Sequence, residues 1–136
     1  MNEPARFAGA GAAAAMVWAA VEPLDQRVFR YGYSDVALLG TFVTRGRAWR
    51  LAGLAIHAGN GALFGLAYRE AKRRSGTSAV TMALAEHVAL FPLSALVDRY
   101  HPARGTRLVP KLMTTRAFGQ ATLRHAVFGA VLGRLA

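Results

Sequence analysis

Apolar residues gather in four blocks along the chain, Phe7 to Val21, Leu51 to Tyr68, Ser78 to Val97 and Ala117 to Gly133, while the charges collect between them. An amphipathic surface helix would show a charged face every 3.6 residues. Leu51 to Tyr68 contains no formally charged residue at all, so a helix there is apolar all round and belongs inside protein or lipid. The pattern predicts helix 1 over about 7–31, helix 2 over 47–72, helix 3 over 78–100 and helix 4 over 114–135. Crossing a hydrocarbon core takes roughly 17 to 25 helical residues. The second and third blocks meet that length, the fourth is marginal, and the first meets it only by continuing through Glu22 and Pro23. The expected fold is all-α, a four-helix transmembrane bundle. Between helices 1 and 2, the apolar stretch Asp35 to Val43 is nine residues long, too short to cross, and lies along the interface or re-enters. His101 to Arg116 is basic and holds Pro102, Gly105 and Pro110, which predicts an irregular loop.

The pattern is also written twice. Pro23-Leu24 is followed by Val28, Arg30 and Tyr31, and 69 positions later Pro92-Leu93 is followed at the same spacing by Val97, Arg99 and Tyr100. A second signature, Gly53, His57, Gly61 and Gly65, recurs 68 positions on as Ala121, His125, Gly129 and Gly133. Two signatures at almost one offset predict tandem duplication of a helical hairpin. The single membrane domain, 1–136, would hold one repeat at about 7–72 and another at about 76–136. Each repeat crosses twice, so the copies share one orientation about a pseudo-twofold axis along the membrane normal. Pro23 and Pro92 each remove a backbone donor and are expected to kink their helices. Arg30-Tyr31 and Arg99-Tyr100 then read as interface anchors, the arginine reaching for phosphates and the tyrosine lying at headgroup level.

Composition supports the lipid reading, with 54% hydrophobic and 18% charged residues. The formal net charge of +10 falls at helix ends and connectors without interleaved aromatics, which favours anionic headgroups over nucleic acid as the partner. Heavy use of Arg and Ala fits a GC-rich bacterial genome, hence a multi-pass protein of the inner membrane. The loops after helices 1 and 3 are rich in Lys and Arg, but the short loop near Arg69, Lys72, Arg73 and Arg74 is denser, which favours both termini inside. Arg6 ahead of the first block resembles the start of a signal peptide; the duplication argues against cleavage, since helix 2 would lose its partner. No cysteine occurs, which removes disulfides and thiolate chemistry.

The glycine stripes suggest close packing, because small residues let helices approach where no water drives them together. Helices 2 and 4 are expected to pack through Gly53, Gly61, Gly65, Ala121, Gly129 and Gly133, on each other or on a partner chain in a homo-oligomer or larger complex. A second group is polar: His57, Asn60, Glu86, His87, Arg124 and His125 lie within apolar blocks, where ionisable residues are costly and functional candidates. Glu86 and Arg124 are expected to pair and tie helix 3 to helix 4. Glu22 and Asp25, which have no counterparts in the second repeat, are expected at the interface beside Arg27. No cofactor is expected. Haem or a metal held by His57, His87 and His125 is the alternative, and its ligands would have to come from separate helices. Neither a nucleophile elbow nor a phosphate-binding glycine loop is present. The expected role is a non-enzymatic packing or accessory subunit. The alternative is a small transporter or proton-coupled conduit, and a hydrated cavity around the Glu and His side chains would distinguish it.

Overall fold

Helix starts are set by four side-chain caps. Asn2, Ser34, Ser78 and Thr114 each accept the backbone N–H three residues on, from Ala5, Ala37, Thr81 and Ala117, satisfying donors that a helix leaves unpaired at its first turn. The computed structural model describes residues 2–136. It contains α1 (Glu3–Phe29), α2 (Asp35–Val43), α3 (Trp49–Ser75), α4 (Ala79–Leu90), a 3-10 turn at Phe91–Leu93, α5 (Ser94–Tyr100) and α6 (Thr115–Leu135). Left-handed residues close α1 at Arg30 (φ 50°) and α3 at Gly76 (φ 66°). The two prolines behave differently. Pro23 lies inside an α1 that runs on to Phe29, whereas Pro92 sits in the 3-10 turn.

Three helical stretches are long and apolar enough to cross a membrane: Glu3–Phe29, Trp49–Ser75, and Ala79–Tyr100, which joins α4, the turn and α5. The first block thus reaches crossing length by running through Glu22 and Pro23. The expected fourth crossing, α6, is not among them, because Gln120, Arg124 and His125 lower its hydropathy. The expected four helices also become five helical stretches, since Asp35–Val43 is itself a helix.

Large apolar side chains lie on the surface while a few charged ones are buried. Val28 (75%), Leu51 (74%), Leu63 (67%) and Val88 (62%) are exposed, while the side chains of Arg124 and Asp25 are fully buried. Helix α1 lies at the centre, packed along α3 on one side and α6 on the other; α2 packs on α3 and α4 on α6. Helices α3 and α4 scarcely touch, which leaves a seam between them.

The glycine ridges do not face each other. A methyl group at Gly61 would strike the Gly11 carbonyl and Ala15, at Gly65 the Phe7 carbonyl, and at Gly53 the carbonyl of Val36. The ridge of α3 is therefore occupied by α1 and α2. Gly129 packs instead on Ala79 and Val80 of α4, Gly133 is exposed with only the Ala79 methyl nearby, and Ala121 joins Tyr33, Leu112 and Ala117 in a separate small core. A period-four stripe marks where a backbone can come close and says nothing of which backbone arrives.

The long connectors are tied down. His101 accepts the Ala103 N–H at Nδ1 and donates from Nε2 to the Leu38 carbonyl of α2. Asp98 accepts the N–H groups of Leu112 and Met113. The expected anchor Tyr31 is half-buried, and its hydroxyl donates to the Lys111 carbonyl, whereas Arg30, Arg99 and Tyr100 are exposed.

Candidate functional site

Trp18, Glu22 and Asp25 recur at i, i+4 and i+7 and so share the inner face of α1. On α6, Gln120 and Arg124 face them. After Arg30 the chain turns back, so that α2 begins beside Glu22, not at the end of α1. Glu22 accepts the Asp35 N–H at 2.8 Å and the Ser34 hydroxyl at 2.6 Å, placing a carboxylate at the positive end of α2. In the irregular segment 31–34, the carbonyls of Tyr31, Tyr33 and Ser34 are satisfied internally. Gln120 donates to the Tyr31 carbonyl at 3.0 Å, and Gln26 donates to the Tyr33 carbonyl at 2.9 Å. Non-helical backbone is tolerated at membrane depth only where protein supplies such partners.

Arg124 completes this group. Its Nε and Nη2 donate to the two Asp25 oxygens at 2.5 and 2.6 Å, Nη1 donates to Asp35 at 3.0 Å, and Nη2 also reaches the Tyr33 carbonyl at 2.8 Å. Glu22 lies 3.6 Å from Nη1, and the guanidinium carbon stands 4.9 Å from the centre of the Tyr33 ring. Asp35 accepts in addition from Trp18 Nε1 at 3.0 Å and from the Tyr33 hydroxyl at 2.5 Å. Burial first, and then the Asp35 charge, push the Tyr33 phenol well above its ordinary range, so it remains a donor. The expected Glu86–Arg124 pair is absent: three carboxylates from α1 and α2 engage the guanidinium, and geometry leaves Glu86 on another face. Glu22 and Asp25 likewise belong to this network, not to the surface beside Arg27.

Glu86 instead looks into a cavity of about 190 Å³ with His57, Asn60 and His125, together with Trp18 and Asp35. His125 Nδ1 donates to the Ala121 carbonyl at 2.7 Å, which leaves Nε2 bare and directed to Glu86 at 3.8 Å. That gap is too wide for a direct hydrogen bond. His57 is buried with Nε2 lacking a partner. Trp18 stands edge-on to both rings, 5.2 Å from His57 and 4.6 Å from His125.

His87 is placed beyond His125. Its Nε2 bonds the Thr122 hydroxyl at 2.9 Å, and its ring lies 4.8 Å from that of His125. Two rings in such contact leave no room for a porphyrin between them. His87 and His125 share a second cavity of about 120 Å³, reached by Tyr33 and Ser94. A third, of about 430 Å³, shares Asn60, Phe64 and Glu86 with the first and runs toward Ala67 and Met82. The three spaces therefore form a row, joined at Glu86 on one side and walled by His125 on the other.

Of the polar residues read from sequence, His57, Asn60, Glu86 and His125 surround one cavity, His87 lies one ring away, and Arg124 serves a separate network. Trp18, Tyr33 and Asp35 went unread. One signal was available: Arg124 stands 68 positions after Ile56, the offset of the two histidine stripes, and Glu22 and Asp25 likewise have no charged residue 69 positions on, so charges unmatched at that offset were candidates to pair. No protein-family model, curated protein or solved structure matches this chain.

Proposed function

We propose that the chain is an integral membrane protein that conducts protons through a row of cavities, with Glu86 and His125 as the groups that take up and release the proton. The observation that carries this is the arrangement of the three cavities, each joined to the next at a titratable side chain. A cavity of about 190 Å³ is roomy enough for several waters and has the polar partners they need. A bare imidazole nitrogen 3.8 Å from a carboxyl brings a proton acceptor and a proton donor to the same cavity. The assembly role suggested by the glycine stripes has less support, because those ridges are occupied within the chain by α1, α2 and α4.

The reading includes a bundle formed by hairpin duplication, with α6 crossing as a helix whose central charge, Arg124, is turned inward. In its favour, Gly61 packs on Gly11 and Gly129 on Val80, so the partner residues are themselves 69 positions apart, the spacing of the two prolines. The twofold is broken at one seam: α1 packs on α6, whereas α2 covers the Gly53 face of α3 and α4 stays away. The proposed setting is the bacterial inner membrane with anionic headgroups around the basic ends.

Reconstitution tests the proposal. In liposomes holding a pH-sensitive dye, a potassium diffusion potential should drive proton entry faster than in protein-free vesicles, with Glu86→Gln slowing it at least tenfold. Equal rates in all three preparations would contradict it.

A further inference from the structure

We infer that the Glu86 cavity binds a small amphipathic organic cation, a charged amine with an apolar body, which enters sideways from the bilayer between α3 and α4. The inference rests on the cavity being the functional site.

Charge comes first. Glu22, Asp25 and Asp35, three of the seven acidic residues, lie against the single guanidinium of Arg124, and a fourth, Glu86, borders the cavity without such a partner. Arg124 is fully buried and engaged elsewhere, so the guanidinium is not available to an anion in the cavity. Glu86, whose side chain is 40% exposed and whose nearest cation-capable neighbour is His125 at 3.8 Å, is the open charge. A carboxylate left without a partner among apolar surroundings is costly, and a proton or a bound cation relieves that cost.

The wall chemistry then selects among cations. Phe64 and Phe128 meet edge to face at 5.1 Å, with Trp18 6.1 Å from Phe128, and all three line the cavity. Aromatic faces beside a carboxylate suit an alkylammonium group; they give a hydrated metal ion few oxygen ligands. His57 and Asn60 of α3 add polar groups to the same wall. Size fits as well: an engineered cavity of about 150 Å³ holds benzene, and this one is about 190 Å³.

The entrance is the seam. The adjoining space past Glu86 is bordered by Leu63, Ala67 and Met82, and Leu63 is 67% exposed, so a ligand arriving there meets hydrocarbon on its way in. Bound, it faces Glu86 with His125 of α6, His57 and Asn60 of α3 and Asp35 of α2 around it. Protons compete for the same carboxylate, so binding weakens as pH falls.

The experiment is calorimetric titration of the purified chain in detergent with benzyltrimethylammonium, whose charge is fixed, and with its neutral isostere neopentylbenzene. The expected result is saturable binding of the cation only, at least tenfold weaker in Glu86→Gln and unchanged in Val88→Ala on the exposed face of α4. No saturable binding, equal binding of the neutral isostere, or full binding by Glu86→Gln would overturn the inference. A doubled mass with no binding would do the same, giving the seam to a second copy. Proton flux without cation binding leaves the conduit reading standing and removes this one; cation binding without flux does the reverse.

Discussion

Arg124 stands among three carboxylates with its side chain fully buried, and removing it would strand them. Breaking a buried pair by deleting one partner costs about 3–5 kcal/mol. Arg124→Met should lower unfolding free energy in detergent by about that amount, and Asp25→Asn made on top of it should cost much less than Asp25→Asn alone. Additive losses in a double-mutant cycle would show that the two side chains are not coupled. That this network exists was only half legible: the unmatched positions of Glu22, Asp25 and Arg124 in the two repeats were visible, but nothing local in a sequence reports that α2 returns Asp35 to the interior. Glu86 next to His87 and Arg124 next to His125 suggested a pair by proximity in depth alone, and helix rotation decided otherwise.

At the level of helices, the extents of α1, α3, α4 with α5, and α6 could be read to within about a turn because apolar length acts locally. The helicity of Asp35–Val43 could not, although its cap Ser34 was in plain view, because an apolar nine-residue stretch satisfies several conformations. Contact direction was equally hidden. Gly61 and Gly129 both sit against a neighbouring backbone, whereas Gly59 has open space around it. Gly61→Ala and Gly129→Ala should each destabilise by about 1–3 kcal/mol through overpacking, and Gly59→Ala should stay within about 0.5 kcal/mol. Thermal unfolding in one detergent compares all three. A Gly129→Ala variant as stable as Gly59→Ala would mean that α4 and α6 do not meet as described.

For the whole molecule, charge is sorted by depth: basic residues crowd the ends, giving +10 overall, while the interior gathers carboxylates around one arginine. Apolar content made legible the helices long and apolar enough to cross a membrane. The seam between α3 and α4, and with it the row of cavities, follows from how the helices assemble and leaves no trace in composition or periodicity. The most direct test is water access to that row. Because the chain has no cysteine, Asn60→Cys in the cavity wall and Val88→Cys on the exposed apolar face can be compared in vesicles using a charged, water-soluble thiol reagent. Rapid labelling at position 60 with silence at position 88 is predicted. Silence at both positions would mean a dry interior and contradict the account.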